Sequence, residues 1–314
     1  MLKDRIIATI EFFDLQDYPL TLLEIGRFLM TEPSLLARAL DNSWELTAEQ
    51  NFIKSETVVL DRILQSLSTE CSGAVGQRQG FYFLKGRGHI VEQRLHNYLY
   101  GIYREQRIAT FTPFVRHLPF VRSIALLGSQ AFGQQKATSD IDLLIITDPQ
   151  FLGIGRALVT AYFQIFGLRR HGSHITDRFC LNHYIAGPRF LDQDRNLYTA
   201  AEYVKLRPLV YAQNSQIFLK KNSAWLHSFF PNAELALETG TEQSWVQKFL
   251  ESLFNNSFGH WLENIIKTAQ LRRIKQGEFI IASNLELSFH PHNRKLALFR
   301  KFFKDKREHS REAV

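Results

Sequence analysis

The sequence predicts a mixed α/β fold, in which helical regions flank a central sheet. Two short apolar runs, residues 124–127 and 141–147, have the length of buried strands, and the second is rich in β-branched residues. Apolar residues at helical spacing dominate the chain before and after these runs. With 314 residues and a hydrophobic fraction of 45%, the chain is long and apolar enough for two or three domains.

The first 88 residues form a predicted unit of short helices that ends in a hairpin. Thr21 followed by Glu24 has the pattern of a capping box, which marks the start of a helix. Polar residues at 77–80 separate two short runs of strand-forming residues. The predicted helices cover residues 4–13, 21–30, 32–40 and 56–67, and residues 74–78 and 80–85 form the hairpin.

This order of short helices and a two-stranded ribbon resembles a winged helix-turn-helix unit. The resemblance implies a recognition helix for the major groove of DNA, at residues 56–67. That region offers only Lys54 and Arg62 as obvious contacts, whereas helices that read bases are usually richer in Arg, Lys, Asn or Gln. Winged helices also dock proteins, so DNA and protein partners both remain open. The basic residues cluster on the ribbon side, at Arg78, Lys85, Arg87 and Arg94.

Residues 123–148 carry the strongest chemical signal of the chain. Gly128 and Ser129 end the first apolar run, and Asp140 and Asp142 stand at the head of the second. Residues i and i+2 of a strand point to the same face, so these two carboxylates converge. Burying them costs free energy unless a cation or hydrogen-bond donors compensate. Mg²⁺ binds in this way, through one or two carboxylates plus substrate phosphates.

This motif resembles the signature of the polymerase beta-like nucleotidyltransferase superfamily, and a looser resemblance extends over residues 94–185. The resemblance implies that the Gly-Ser turn opens a helix and grips the triphosphate of a nucleoside triphosphate, while two aspartates hold two Mg²⁺ ions. A small Gly-Ser loop also lets backbone N–H groups approach phosphates. The expected metal ligands are Asp140 and Asp142, and the expected nucleotide-binding residues are Gly128, Ser129, Lys136, Ser139, Asn182 and Lys205.

The third carboxylate of the family, which acts as general base, has no clear counterpart in this sequence. Residues 178–185 form the predicted neighbouring strand, and Asp177 at its entrance is the nearest carboxylate. Alternation along the strand places Asn182 on the face of Cys180, where the carboxylate would stand. Asn cannot act as a base at neutral pH. Asp177 as a catalytic residue, His183 as its substitute, chemistry without a protein base, and nucleotide binding without turnover all remain open.

The sequence of residues 191–314 predicts a helical C-terminal region with a basic tail. Residues 197–206 form a predicted helix from which Lys205 or Arg207 could reach a triphosphate. The tail at residues 294–311 mixes basic and aromatic residues, which fits either a contact with nucleic acid or acidic membrane, or a terminal helix packed by its Phe side. The predicted domains are residues 1–88, 89–190 and 191–314, with Trp245, Phe249, Leu253, Trp261, Ile265 and Leu271 as core positions of the last.

The composition of the chain indicates its cellular compartment and the charge of its partners. The net charge of +7 and the pI near 9.4 favour polyanionic partners such as nucleotides or nucleic acid. Two cysteines without metal-ligand spacing fit a reducing cytoplasm. No apolar run has the length of a membrane span, and residues 2–13 carry Asp4, Arg5 and Glu11, which a signal peptide would lack there. A cytoplasmic protein is therefore expected.

The function predicted from the sequence is Mg²⁺-dependent nucleotidyl transfer. A nucleoside monophosphate would pass from a nucleoside triphosphate to an acceptor, either a small molecule, an RNA or a protein, with release of pyrophosphate. The alternative is a non-catalytic, nucleotide-sensing regulator that binds DNA through the winged-helix unit. A third interpretation is a toxin-like transferase that modifies tRNA or a partner protein.

Overall fold

The fold is mixed α/β, as the sequence predicts. The computed structural model describes residues 1–40, 46, 55–191, 193–235, 243–274, 280–289, 298 and 300–303. Within these ranges the strands form a three-stranded and a six-stranded sheet. Among the described helices, none combines the length and the apolar character that crossing a bilayer would require.

The N-terminal unit contains the predicted helices and hairpin. Thr21 caps a helix, and both halves of the capping box with Glu24 are formed. Gln79 and Gly80 form a two-residue turn in which both have positive φ, 52° and 80°, as a tight hairpin requires. The elements are α1 (Leu2–Asp14), β1 (Leu20–Thr21), α2 (Leu22–Arg27), α3 (Pro33–Leu40), α4 (Leu60–Ser68), β2 (Val75–Arg78) and β3 (Phe81–Leu84).

Helix α4 is shorter and less buried than its sequence predicts. Apolar spacing assigns Val59, Leu60, Ile63, Leu64 and Leu67 to the core, but only Ile63 and Leu67 are buried. Val59 is 66% exposed and Leu64 is 41% exposed. Helices α1 and α2 contact α4 from one side, so a single row of its apolar residues is covered. The spacing of apolar residues in this segment therefore predicts more buried side chains than the structure has.

The basic residues of the ribbon side are mostly paired within the same chain. Lys85 is exposed, as is Arg62 on α4, while Lys54 lies outside the described residues. The ion pairs join Arg78 to Glu92, Arg87 to Asp14 and Asp17, and Arg94 to Glu24. Much of the positive charge expected to face DNA is therefore neutralised by neighbouring carboxylates.

The central part of the chain closely follows the predicted strands and helices. The long helix predicted at residues 90–108 and the apolar helix predicted at residues 151–166 are both present, as is the strand predicted at residues 178–185. The elements are α5 (His89–Phe111), a 3₁₀ helix (Thr112–His117), β4 (Val121–Leu126), α6 (Gly128–Phe132), β5 (Ile141–Thr147), α7 (Leu152–Ile165) and β6 (Phe179–Ala186).

The C-terminal part contains three strands that the sequence does not reveal. As a helix breaker, Pro208 is expected to end the helix predicted at residues 197–206, but it lies within an edge strand, where proline is tolerated. The sequence at residues 222–225, Asn-Ser-Ala-Trp, also predicts a helix start, but one helix runs through these positions. The elements are α8 (Leu197–Val204), β7 (Arg207–Val210), α9 (Ala212–Phe229), α10 (Trp245–Phe254), α11 (Ser257–Arg273), β8 (Ile281–Ala282) and β9 (Glu286–Ser288).

The larger sheet has the strand order β7-β4-β5-β6-β9-β8 and is mixed. Strands β5 and β6 are parallel, and the other neighbouring pairs are antiparallel. Parallel neighbours need a crossover connection, which α7 provides. This crossover places the first residues of β5 and β6 side by side at the same end of these two central strands.

Helices α10 and α11 bury polar residues, whereas most of their predicted apolar core positions are exposed. Gln247 and Glu263 are buried, and both carboxylate oxygens of Glu263 accept backbone hydrogen bonds at the start of α7, each at 2.8 Å. Of the predicted core positions, Leu271 packs against the core. The other five are exposed, with Trp245 at 78%: Trp245, Phe249, Leu253, Trp261 and Ile265.

One hydrophobic core joins the N-terminal unit to the rest of the chain. The ring of Phe28 packs against Phe13 on its own unit and against Phe132 and Phe230 beyond it. The backbone N–H of Thr31 donates to the carbonyl of Phe229 at 2.9 Å. The predicted boundaries at residues 88 and 190 therefore do not separate hydrophobic cores, and the three-domain division stays a prediction.

The part of the basic tail that the structure describes packs inward at two Phe residues. Phe302 and Phe303 are buried, and the ring of Phe302 meets Phe12 of α1 edge-on at 5.7 Å. Most of the predicted tail, together with His290 and His292, lies outside the described residues. For Phe302 and Phe303, the interpretation as a terminal segment packed by its Phe side is confirmed.

Candidate functional site

A cavity of about 270 Å³ lies between the N-terminal unit and the large sheet. Its walls come from the end of α1, from α6 and the loop that follows it, from the start of β5, from the loop between α7 and β6, and from α8. The lining residues are Phe13, Gln16, Tyr18, Gly128, Ser129, Phe132, Gln134, Lys136, Ser139, Asp140, Asp142, Arg170, Tyr198 and Glu202.

Asp140, Asp142 and Cys180 converge beside this cavity. One potential ligand atom from each, two carboxylate oxygens and the thiol sulfur, lie within 4.8 Å of one another. The predicted convergence of the two aspartates is therefore confirmed. Cys180 stands directly opposite Asp142 because β5 and β6 are parallel and in this register. No spacing in the sequence signals this neighbour, since the register of the two strands decides it.

The proximity of the two carboxylates makes ionisation of Asp142 and Cys180 less favourable. Burial and, to a smaller extent, the charge of Asp140 raise the pKa of Asp142 to about 7, although a hydrogen bond from Cys180 opposes the shift. Burial and the same carboxylates also raise the pKa of the Cys180 thiol. A cation held between the carboxylates would relieve this repulsion. The oxygen donors fit Mg²⁺, whereas the thiol is a soft donor that Mg²⁺ binds poorly.

Gly128 fits closely against Asp142. Its φ of +63° is a conformation that residues with a side chain rarely adopt. A Cβ atom at this position would lie 2.5 Å from Oδ2 of Asp142. Gly128 and Ser129 open α6, a helix of only five residues, which matches the predicted Gly-Ser turn in position. The absence of a side chain at position 128 leaves Asp142 accessible from the cavity.

The loop between α6 and β5 brings Lys136 and Ser139 to the cavity. The Ser139 hydroxyl accepts a hydrogen bond from the backbone N–H of Lys136 at 3.0 Å. From α5, the buried Arg104 guanidinium donates to the carbonyls of Lys136 and Ala137 at 2.9 and 3.1 Å. Lys136 itself is exposed at the cavity wall. Both residues therefore occupy positions consistent with the nucleotide-binding roles expected for them.

Asp177 lies on the other side of this loop and does not line the cavity. Its carboxylate accepts from Nε of Arg104 at 2.7 Å, and its backbone N–H donates to the carbonyl of Ser139 at 3.0 Å. Arg104 and Asp177 thus clamp the loop from both sides. The structure gives Asp177 a positioning role there and does not bring it to the cavity as a third carboxylate.

A bulge in β6 changes the faces that alternation predicts. Cys180 is opposite Asp142, but His183 is opposite Leu144, so β6 contains one extra residue between them. His183 and Cys180 consequently share a face, while Tyr184 packs in the core on the other side. Asn182 does not line the cavity, and its carbonyl accepts from the N–H of Phe289 at 2.9 Å. Strict alternation along β6, which would place Cys180, Asn182 and Tyr184 on one face, is therefore wrong.

His183 and the two predicted cationic clamps have partners away from the cavity. Nε2 of buried His183 lies 3.2 Å from a carboxylate oxygen of Glu286. Nζ of Lys205 donates to Glu24 of the N-terminal unit at 3.3 Å. Arg207 forms an ion pair with Glu105 at 2.7 Å. None of the three is among the described residues that line the cavity.

Several lining residues escape a sequence-based search. Glu202 and Tyr198 come from α8, and the charge of Glu202 contributes to the raised pKa of Asp142. Arg170 lies in the loop between α7 and β6, whose sequence predicts only that it is polar. Phe13 and Tyr18 reach the cavity because the N-terminal unit packs against α6, where Tyr18 Oη lies 2.9 Å from the carbonyl of Phe132. These positions depend on tertiary packing, and local patterns carry no signal for them.

Comparison of the chain with protein-family models, with curated proteins and with solved structures gives no match. Its function is therefore inferred from the residues of the cavity.

Proposed function

We propose that the chain is a Mg²⁺-dependent nucleotidyltransferase, which moves a nucleoside monophosphate from a nucleoside triphosphate to an acceptor hydroxyl. One observation carries the proposal: Asp140 and Asp142 converge beside a cavity, and Gly128 leaves Asp142 open to it. Two carboxylates at the head of an otherwise apolar strand serve no packing purpose, and the raised pKa of Asp142 means that its ionised form costs stability there.

The carboxylates of Asp140 and Asp142 would hold the metal in this mechanism. When bound, Mg²⁺ supplies positive charge that screens the phosphates and the two carboxylates. Ser129 and Lys136 follow Gly128 in the chain and also line the cavity. Ser129 would bind the phosphates through its hydroxyl group, and Lys136 through its ammonium group. Catalysis of this kind is mostly positioning plus electrostatic stabilisation.

Glu202 is the carboxylate best placed to act as general base. It lines the cavity, whereas Asp177 is bound to Arg104 outside it. In the proposed reaction, the acceptor oxygen forms a bond to the α-phosphorus, the bond from that phosphorus to the pyrophosphate oxygen breaks, and the acceptor proton passes to Glu202. The third carboxylate would then come from a helix instead of a strand neighbouring β5.

Titration calorimetry with ATP, GTP, CTP and UTP in the presence of Mg²⁺ tests the proposal, followed by a pyrophosphate-release assay with an acceptor screen. We expect one triphosphate to bind in a Mg²⁺-dependent manner, and we expect Asp142→Asn to lose both this binding and the transfer. Full transfer by Asp142→Asn would exclude the metal-binding role of Asp142. Asp61→Asn, a change at an exposed carboxylate of α4, is the matched control and should leave both unchanged.

Asp142→Asn should also stabilise the fold, which distinguishes lost chemistry from lost structure. The pKa of Asp142 is about 7 in the folded chain against a model-peptide value of 3.8, so folding favours the protonated form. The stability contributed by this proton is present below pH 3.8 and is lost as the pH rises through 7. We therefore expect Asp142→Asn to exceed the wild type in unfolding free energy by ~4 kcal/mol above pH 7, with the gap closing towards pH 4.

The alternative function is that of a nucleotide-sensing, DNA-binding regulator without turnover. The observation in its favour is that the N-terminal unit contributes Phe13, Gln16 and Tyr18 to the cavity wall. A ligand in the cavity would therefore contact both this unit and the sheet. Nucleotide binding without pyrophosphate release, together with a nucleotide-dependent shift of genomic DNA fragments in a gel, would favour this function over transfer.

A further inference from the structure

We propose that Arg170 is a nucleotide-binding residue that exchanges partners: its guanidinium, bonded to Asp140, passes to the phosphates of the nucleotide when a divalent cation takes that carboxylate. This inference rests on the proposed function. Arg170 lies in the loop between α7 and β6. Its Nη1 donates to Oδ2 of Asp140 at 2.6 Å and to the sulfur of Cys180 at 3.7 Å. The guanidinium therefore contacts two of the three groups that could hold a metal.

The guanidinium and a metal ion compete for the same carboxylate. A divalent cation bound to Asp140 would stand within a few ångströms of the positive charge on Arg170, and like charges at such a distance repel strongly. The Arg170 side chain is 38% exposed, so it has room to move away, whereas the carboxylate of Asp140 is only 16% exposed. Metal binding should therefore release Arg170 and leave the aspartate in place.

The released guanidinium can bind the phosphates of a nucleotide in the cavity. Among the described residues that line it, Lys136 and Arg170 are the cations, against the carboxylates Asp140, Asp142 and Glu202. A triphosphate entering this cavity needs positive charge beyond that of Lys136. Arginine binds phosphate oxygens through two parallel N–H donors, which suits it to this task better than lysine. Binding of metal and of phosphate would thus be coupled through one side chain.

The test measures two affinities that should change in opposite directions in Arg170→Gln. The first is that of Mn²⁺ alone, followed by electron paramagnetic resonance, and the second is that of inorganic tripolyphosphate in the presence of Mn²⁺, followed by calorimetry. Loss of the competing ion pair should tighten Mn²⁺ binding about fivefold. Loss of the charged donor should weaken tripolyphosphate binding by about tenfold or more.

Two further variants control the result. Arg169→Gln removes the same charge from the neighbouring position, which does not line the cavity, and should change neither affinity. Arg170→Lys retains the charge but has no paired donors, so it should bind Mn²⁺ as the wild type does and tripolyphosphate more weakly. Thermal unfolding of each variant by circular dichroism establishes that it is folded.

The outcomes separate this inference from the proposed function. If the wild type binds Mn²⁺ and tripolyphosphate but Arg170→Gln binds both equally well, the partner exchange is excluded and the proposed function stands. A parallel loss of both affinities in Arg170→Gln would indicate a purely structural role and also excludes the exchange. If the wild type binds neither probe, the proposed function and the inference both fail.

Discussion

Gly128 and Asp142 are in closer contact than any other residue type at position 128 would allow. A Cβ atom there would meet Oδ2 of Asp142 at 2.5 Å, well inside van der Waals contact. The φ of +63° adds a second restriction, because the left-handed region is unfavourable for residues with a side chain. The position therefore combines a restricted backbone conformation with close approach to one of the proposed metal ligands.

Gly128→Ala should impair both folding and metal binding, and Gly172→Ala separates the two causes. Gly172 also has a positive φ, +52°, but an added Cβ would meet nothing within 4 Å. We expect Gly172→Ala to cost about 1 kcal/mol from backbone strain alone. Gly128→Ala should cost ~2–4 kcal/mol, because the clash with Asp142 adds to the strain, and should weaken Mn²⁺ binding. Equal costs in urea unfolding would contradict the close-approach argument.

At the residue scale, the sequence predicts those members of the site that are close together in the chain. Asp140 and Asp142 share a face because strand side chains alternate, and Gly128 and Ser129 follow a buried strand. Asn182 was misplaced because a bulge shifts the faces of β6, and a bulge leaves no mark in this pattern of residues. Cys180, Glu202 and Arg170 reach the cavity through pairings between distant segments, which local patterns do not encode.

At the element scale, α2 connects the N-terminal unit to the rest of the chain through one buried carboxylate. Glu24 accepts from Thr21 at the start of its own helix, from the two Nη groups of Arg94 on α5 at 2.7 and 2.8 Å, and from Lys205 after α8. Tyr18 Oη lies 2.6 Å from the same carboxylate. A capping residue predicted from the sequence thus also joins three separate elements.

The Glu24 network should make the fold sensitive to acid. Burial alone raises the pKa of Glu24, but hydrogen bonds and charges from Arg94 and the charge of Lys205 outweigh it and lower the pKa to about 2, from a model-peptide value of 4.5. The resulting stabilisation is fully present above pH 4.5 and is lost as the pH falls through 2. We expect it to amount to ~3 kcal/mol at neutral pH.

Urea unfolding of Glu24→Gln between pH 7 and pH 2 tests this expectation. The variant should be less stable than the wild type by ~3 kcal/mol at pH 7, and the difference should shrink towards pH 2. Glu92→Gln, in the exposed ion pair with Arg78, should cost less than about 1 kcal/mol. A Glu24→Gln penalty that stays constant across this pH range would exclude the charge of Glu24 as its cause.

The same scale shows which elements a sequence can predict. Long helices with one apolar stripe, such as α7, and strands rich in β-branched residues, such as β5, are confirmed at nearly the predicted bounds. Strands β7, β8 and β9 are two to four residues long, too short to show a period, and form by pairing with distant strands. Helices α10 and α11 have the apolar spacing of core helices, yet bury their polar residues.

At the scale of the whole molecule, the shared core makes the N-terminal unit and the rest of the chain depend on each other. Phe28 is fully buried between aromatic rings of both. We expect Phe28→Ala to destabilise the entire chain by ~3–5 kcal/mol in a single transition. Leu23→Ala, on the helix α2 that ends just before Phe28, changes a side chain that is 69% exposed and should be nearly neutral.

Two probes of thermal unfolding measure this cooperativity. Circular dichroism follows all helices, and the fluorescence of buried Trp225 on α9, in a background where the other tryptophans are replaced by Phe, follows only the C-terminal part. Coincident midpoints in Phe28→Ala would agree with one cooperative unit. A Trp225 midpoint that keeps its wild-type value while the helical signal melts earlier would show that the N-terminal unit unfolds independently.

The cavity has one wall from the N-terminal unit and another from the sheet, so a ligand that shifts the first wall would be thermodynamically linked to any partner on the outer surface of that unit. Gln134 illustrates the junction, since its amide donates to the carbonyls of Gln16 and Asp17 at 2.8 and 2.9 Å. A ligand that favours one placement of this wall changes the affinity of any partner bound outside by a certain factor, and the partner changes the ligand's affinity by the same factor. Under that condition, the packing of the N-terminal unit would allow the ligand and the partner to regulate each other.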